Sequence, residues 1–314
     1  MNNFAIVPDS SSDMTAQLRL RFGVDAIVRG VIYRPDGTES LSDVDWENTT
    51  PDEYFNSMKG RKALYKTATP SMSEYFAAFE PLLQAGKDIL SISLSSGISG
   101  TYQVAQSAAK ELSQKYPDRK IICVDSLRYS SAIALLVAEA SFKREQGATI
   151  EETAEYINTL KHSIHQIGPL DDLFFCVKTG RISNFQAFFG TLIGVNSLAD
   201  FAGNGVSAVL GKTKGRKTAL EVALRYIEKT IKNPEKQIIF VGHSIREENA
   251  LYLKDRIIEN FAPKDVIINP IGMSCGSSIG PGLCAAFYIG DTISSDGSTE
   301  KLIFEEALHE ATMK

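Results

Sequence analysis

The sequence is short of four things, and each shortage excludes a class of protein. There is no surplus of basic residues: 33 Lys and Arg stand against 38 Asp and Glu, a formal net charge of -5. A surface of that sign repels phosphate backbones, so nucleic acid is not an expected partner. No apolar run approaches the ~18 residues of a membrane-spanning helix, and Met1-Asn2-Asn3-Phe4 lacks the basic and apolar regions of a secretory signal. Cysteines are few. Cys123, Cys176, Cys275 and Cys284 form no C-x-x-C pair, which reads as reduced, mostly buried thiols in a cytoplasmic protein. No short repeat is present, which excludes collagen and coiled coil. A hydrophobic share of 43% with 23% charged residues excludes a disordered chain.

What is present is an alternation of short β-branched runs and longer amphipathic stretches. The 314 residues suit about two domains at ~150 residues each. Phe4–Val7, Asp25–Tyr33, Ile89–Leu94 and Ile121–Val124 read as strands, and Met14–Phe22, Ser71–Ala85, Tyr102–Tyr116 and Ser131–Arg144 as helices. Ser71/Glu74 and Thr149/Glu152 have the spacing of capping boxes. Strand–helix alternation of this kind implies βαβ crossovers and a largely parallel sheet. A second unit is expected from Thr149: helix 149–162, strand Leu173–Val177, a turn at Gly203-Asn204-Gly205, then helix 218–232, strand 237–242, helix 247–260, and strands 266–271 and 283–289. The expected division is an N-terminal α/β domain over 1–148, a C-terminal α/β domain over 149–290 and an extension over 291–314 that ends in a short helix.

Ser, Thr and Gly recur just after strands, in Asp9–Asp13, Thr67–Ser71, Ser95–Thr101 and Gly276–Gly282. Any one such serine is first a helix cap or a turn residue. Four loops together suggest a hydroxyl-lined anion site, because ligands in open α/β sheets bind beyond the carboxyl ends of the strands and helix N-termini favour negative charge.

Sharper motifs are weaker. Gly272-Met273-Ser274-Cys275-Gly276 matches G-x-S-x-G, but only His309 follows Ser274 as a base and no helix clearly follows it. Gly211-Lys212-Thr213 lacks the partner glycine of a phosphate-binding loop, since position 206 is Val206. Lys212, Lys214, Arg216 and Lys217 form either a solvated patch or a docking site for an acidic partner or phosphate. His162 and His165 lack metal-ligand spacing and read as surface helix residues, and His243 is either structural or a site residue. The aromatic stretch Phe174-Phe175, Phe185, Phe188-Phe189, Leu192-Ile193 is a core helix by default. It also flanks Arg181, a cation beside polar donors with an apolar wall, which suits a ligand with an anionic head and an apolar tail.

At these residues the chain resembles the DegV family of bacterial fatty-acid-binding proteins. The matching segments are Val7-Pro8-Asp9-Ser10-Ser11, Thr67-Ala68-Thr69-Pro70-Ser71, Leu94-Ser95-Ser96-Gly97-Ile98-Ser99-Gly100-Thr101-Tyr102, Val124-Asp125-Ser126, Thr179-Gly180-Arg181-Ile182-Ser183, Gly215-Arg216-Lys217 and Gly280-Pro281-Gly282, in family order. The resemblance implies an α/β protein of two lobes, the N-terminal one built on a mostly parallel sheet with flanking helices and the C-terminal one smaller. One long-chain fatty acid would lie between the lobes, its carboxylate gripped by Thr67 and Ser99. Ser96, Gly97, Arg181, Ser277 and Ser278 would lie near the head group, and Phe174, Phe185, Phe188, Phe189 and Leu192 would line the tail.

The resemblance further implies a non-catalytic, lipid-presenting subunit of a fatty acid kinase. A separate ATP-binding subunit would phosphorylate the carboxylate to an acyl phosphate for phospholipid synthesis. No metal or other cofactor is expected, and contact with a membrane surface would be transient. Burying ~14 methylenes at ~0.8 kcal/mol each offers ~11 kcal/mol before ordering costs, so the tail supplies most of the affinity. Thr67 and Ser99 would orient the head through charge-assisted hydrogen bonds.

The sequence departs from the family at Ser278, where a histidine is usual, and at Val195-Asn196-Ser197-Leu198, where a lysine and a proline are missing. Two other readings are a serine esterase using a loop serine such as Ser274 and a lipid-responsive regulatory module.

Overall fold

The computed structural model describes residues 4–183 and 195–313. In chain order the first half runs β1 (Phe4–Pro8), α1 (Ala16–Arg21), β2 (Val31–Tyr33), β3 (Glu39–Leu41), α2 (Pro51–Met58), β4 (Lys66–Ala68), α3 (Met72–Gln84), β5 (Asp88–Ser93), α4 (Thr101–Lys115), β6 (Ile121–Asp125), α5 (Ser131–Glu145) and α6 (Ile150–Leu160). The second half runs β7 (Ile164–Ile167), β8 (Pro169–Leu170), α7 (Phe174–Thr179), β9 (Ile182–Ser183), β10 (Val195–Phe201), β11 (Ser207–Lys214), α8 (Arg216–Thr230), β12 (Ile238–His243), α9 (Glu247–Phe261), β13 (Asp265–Pro270), α10 (Met273–Ile279), β14 (Cys284–Ile289) and α11 (Ser298–Thr312).

The chain forms two units, each discontinuous in sequence. Unit 1 holds Met1–Asn48, Leu64–Lys161 and Gly272–Cys275; unit 2 holds Thr49–Ala63, His162–Ile271 and Gly276–Lys314. This differs from a single cut at 148/149. Residues 149–161 join unit 1 because α6 packs on α5 and β6. Residues 49–63 and 291–314 join unit 2, which is therefore slightly the larger.

Unit 1 is built on the parallel sheet β1-β5-β6, in register Phe4↔Asp88 and Ile89↔Ile121. Both faces are covered, so β1 and β5 are buried on both sides rather than alternating: Ala5, Ile6, Val7, Ile89, Leu90 and Ile92 are all buried, and so are the two small polar residues of β5, Ser91 and Ser93. On one face Tyr75, Phe79 and Leu83 of α3 interlock with Ala105, Ala108 and Leu112 of α4, which is the spacing of one helical face. Ser71 caps α3 by accepting the Glu74 amide at 3.2 Å, and Thr149 and Glu152 form a reciprocal capping box on α6. The expected strand Asp25–Tyr33 shortens to Val31–Tyr33, the centre of a small antiparallel sheet β3-β2-β4.

Unit 2 carries two four-stranded sheets, β13-β12-β14-β7 and β8-β10-β11-β9. The β10–β11 hairpin turns where expected, at Gly205 with φ +78°. The expected strand Leu173–Val177 is instead α7. Asp172 accepts the Phe174 amide at 2.9 Å and starts the turn; Gly180 at φ +69° ends it, with Arg181 N–H donating to the Cys176 carbonyl. A five-residue apolar run does not distinguish strand from helix by periodicity; its flanking Asp and Gly decide. Gly211 belongs to β11 rather than to a phosphate loop. Its lack of a side chain admits the Phe304 ring of α11, which would lie 2.1 Å from an added Cβ.

Candidate functional site

In unit 1 three loops leave the same edge of the parallel sheet, because β1, β5 and β6 run side by side in one direction. After β1, Asp9–Asp13 is buried throughout. The Asp9 carboxylate accepts the Ser11 amide (2.8 Å), the Ser11 hydroxyl and the Leu94 amide (2.7 Å). Asp13, at φ +54°, accepts the Ser130 hydroxyl and the Gly272 amide (2.9 Å). Burial raises both carboxyls, Asp13 to about 7, against the lowering effect of these hydrogen bonds; Asp9 adds a repulsive contribution at Asp13.

After β5, the loop Leu94–Gly100 opens α4. Asp125 Oδ1 accepts the Ser96 amide and the Leu127 amide, each at 3.1 Å. Ser95 Oγ accepts the exposed Gly97 amide at 3.1 Å. Ser99 is half-buried. Its Oγ accepts the Thr101 amide (3.3 Å) and lies 2.8 Å from the Thr101 hydroxyl. If the Thr101 hydroxyl also donates to it, the Ser99 O–H points its hydrogen elsewhere, beside the N-terminus of a 15-residue helix.

Thr67 lies on the edge strand β4 opposite Ile32 and is exposed. The segment after it is held close to both other loops. Gly30 packs so tightly that an added Cβ would stand 2.8 Å from the Ala68 carbonyl and 3.7 Å from both Pro70 Cδ and Ser10 Oγ. A Cβ on Gly100 would stand 3.9 Å from Thr69 Cγ2. Three of the four hydroxyl-rich loops thus gather in unit 1, and the carboxylates of Asp9, Asp13 and Asp125 fix the two that follow β1 and β5. Sequence reading singled out the serines and missed the acids. The signal for them was the acidic residues bracketing Ser10–Ser12.

The fourth loop behaves differently. Gly276–Gly282 lies in unit 2, where Ser277 is buried and its hydroxyl is 2.7 Å from Tyr54 OH, so it is tied to the fold. Ser278 is half-buried on α10. Arg181 is exposed and its guanidinium donates to the Thr179 carbonyl. Phe174 is half-buried with the Arg61 guanidinium 4.1 Å from its ring centroid, and Arg61 also pairs with Asp172 at 3.0 Å. Phe185, Phe188, Phe189 and Leu192 lie outside the described residues.

Ser274 sits inside α10, which corrects the expectation that no helix follows it. Strand, turn and helix are therefore in place for a nucleophile elbow, but among the described residues no base is hydrogen-bonded to Ser274. Ser274 Oγ bonds to the Ser10 hydroxyl (2.9 Å) and the Ser42 hydroxyl (3.0 Å), while His309 is exposed on α11. His243 accepts the Arg246 amide at its Nδ1 (3.3 Å), and burial lowers its pKa. His162 is exposed, but His165 is buried in β7 rather than on a surface helix. The thiols of Cys123, Cys176 and Cys284 are pushed up to about 12 by burial, which makes them poor nucleophiles. Among the described residues no cluster of His, Cys, Asp and Glu could hold a metal ion, and no helix is long and apolar enough to cross a membrane.

The family described as "Uncharacterised protein, DegV family" matches residues 3–291. A DegV domain-containing protein of Clostridium perfringens is 32% identical over 292 residues, covering 93% of this chain and 99% of the relative. Among solved structures, a fatty-acid-binding DegV family protein from Thermus thermophilus superposes with a TM-score of 0.81 at 25% identity, covering 91% of this chain and 99% of the other. The Streptococcus pneumoniae fatty acid kinase (Fak) B3 protein, loaded with linoleic acid, superposes with a TM-score of 0.76 at 22% identity, covering 92% and 100%. The chain belongs to the DegV family.

Proposed function

We propose that this DegV-family chain binds one long-chain fatty acid, holds its carboxylate with Thr67 and Ser99, and presents it to a separate ATP-dependent kinase subunit that forms the acyl phosphate. The observation that carries the reading is the convergence of the Thr67–Ser71 and Leu94–Gly100 loops at the carboxyl edge of a parallel sheet, in a fold whose Thermus thermophilus relative binds fatty acid. The Streptococcus pneumoniae likeness supports the kinase-partner part of the reading.

The chemistry asked of this chain is binding and orientation. Thr67 and Ser99 donate to the carboxylate, and the α4 N-terminus favours its charge. Ser96 and Gly97 shape the loop around the head. Phe174 borders the tail, with Phe185, Phe188, Phe189 and Leu192 proposed alongside it from the sequence. Arg181, exposed and, among the described residues, tethered only to a backbone carbonyl, serves the partner's engagement more than ligand affinity. Ser278, in place of the usual histidine, keeps a hydrogen-bonding group there but no imidazole to carry a proton. No nucleophile or base on this chain takes part, in keeping with Ser274 being bonded to two other serines.

The test is mass spectrometry of lipid extracted from the purified protein, with titration by palmitate and oleate. A single saturable site for either acid supports the proposal. Absence of both co-purified fatty acid and binding overturns it.

A further inference from the structure

We propose that Asp9 is a positioning residue for the anionic head group: its buried carboxylate latches the Leu94 amide and so fixes the loop that presents Ser99. The inference rests on the reading of that loop as a carboxylate grip and names a residue outside the grip on which it depends.

Every contact of the Asp9 side chain points inward. Oδ1 accepts the amide and hydroxyl of Ser11, and Oδ2 accepts the Leu94 amide 85 residues along the chain. Asp9 is 3% exposed, so its oxygens serve the fold and do not face a ligand. All three partners donate, which makes the site specific for an acceptor-only group; an asparagine there would set an N–H₂ against an N–H. Burial of the carboxyl works against its ionisation, so the arrangement carries a standing cost that simple turn formation does not require.

The position of the latch explains why such an arrangement is kept. Leu94 is the first residue after β5, and Ser99 is five residues on. Asp125 holds the middle of the loop at the Ser96 amide (3.1 Å), while the Ser95 carbonyl takes the amides of Ile98 (3.2 Å) and Ser99 (3.1 Å). Releasing Leu94 lets the loop pivot about Ser96 and moves the Ser99 hydroxyl. A directional hydrogen bond to a carboxylate weakens steeply with such misplacement, whereas non-directional tail burial does not.

The test separates head from tail. Asp9→Asn is assayed for binding of oleate and of oleyl alcohol, which shares the chain but lacks the charge, with folding checked by circular dichroism. We expect oleate affinity to fall at least tenfold and oleyl alcohol affinity to stay within twofold. Unchanged oleate binding, or equal loss for both probes, overturns the proposal. If Asp9→Asn does not fold, hydrogen exchange on the wild-type protein decides. A latch linked to the grip must be strengthened by the ligand, so the Leu94 amide is to exchange at least tenfold more slowly with oleate bound, and an unchanged rate overturns it. Wild-type protein that binds neither probe defeats the functional reading first and this proposal with it.

Discussion

His165 Nδ1 lies 2.5 Å from Asp200 Oδ2, joining two sheets of unit 2 with both side chains almost sealed from solvent. The opposite ring nitrogen, Nε2, faces the Asp291 carbonyl at 2.8 Å. Both oxygens accept, so the arrangement calls for a proton on each ring nitrogen or one shared across the short contact. Asp200 is further satisfied by Tyr226 OH (2.8 Å) and by the amides of Gln166 (2.8 Å) and Phe201 (2.7 Å), and Tyr288 stacks on the imidazole at 5.4 Å.

The first prediction concerns this pair. Removing one member of a buried, hydrogen-bonded His–Asp pair leaves the other without its partner, at a cost of up to about 3–5 kcal/mol where the pair is charged. His165→Ala is expected to fall in that range by urea denaturation. Asp200→Asn is expected to cost less, because its carbonyl still accepts the two backbone amides while its NH₂ can donate to a neutral ring. Equal losses for the two substitutions would show that packing, not charge, is what the pair provides.

A second prediction follows from Asp13, whose carboxyl burial raises to about 7. A folded-state pKa above the unfolded value means that the folded state holds the proton more tightly. The contribution is therefore complete below about pH 4 and is lost as pH rises through about 7, an effect on the order of 4 kcal/mol. Asn fits the same contacts, with Oδ1 accepting the Gly272 amide and Nδ2 donating to Ser130 Oγ. Asp13→Asn should thus gain stability relative to wild type between pH 5 and pH 8. Parallel stability curves across that range would refute the assignment.

Gly168 gives a third. An added Cβ would lie 2.0 Å from the Cys284 carbonyl oxygen and 2.5 Å from Ala285 Cα, both backbone atoms of β14 and neither able to rotate away. Gly168→Ala is expected to destabilise the protein by more than about 2 kcal/mol. A variant with the wild-type denaturation midpoint would mean that the strands part at little cost.

Much of the parallel sheet was legible because β1, β5 and β6 are short apolar runs ended by polar loops, and the capping residues Ser71 and Thr149 marked helix starts. What escaped reading depends on partners far away in sequence. His165 looked like a surface residue because Asp200 and Asp291, whose oxygens meet its two ring nitrogens, lie 35 and 126 positions on. Ser277 looked available, but Tyr54, 223 residues earlier, holds it. The same contact accounts for part of the grouping of residues 49–63 with unit 2, where Phe55 fills the space that Gly276 leaves open. Local pattern carries secondary structure; it does not carry which hydroxyl is already spent.

The last prediction separates the two proposed grip residues by what each already does in the fold. Thr67 is exposed, and among the described residues its side chain has no hydrogen bond, so Thr67→Val should leave the melting temperature unchanged. Ser99 bonds to Thr101 at the start of α4, so Ser99→Ala should lower stability by about 1 kcal/mol. A hydrogen bond to a charged partner contributes about 1.5–3 kcal/mol, so each substitution should weaken oleate binding by roughly 10- to 150-fold. Because the tail is untouched, oleyl alcohol should bind both variants as it binds wild type. Displacement of a fluorescent fatty acid measures all of these affinities. If Thr67→Val binds oleate like wild type while Ser99→Ala does not, the carboxylate is held by the α4 loop alone and Thr67 must be removed from the site.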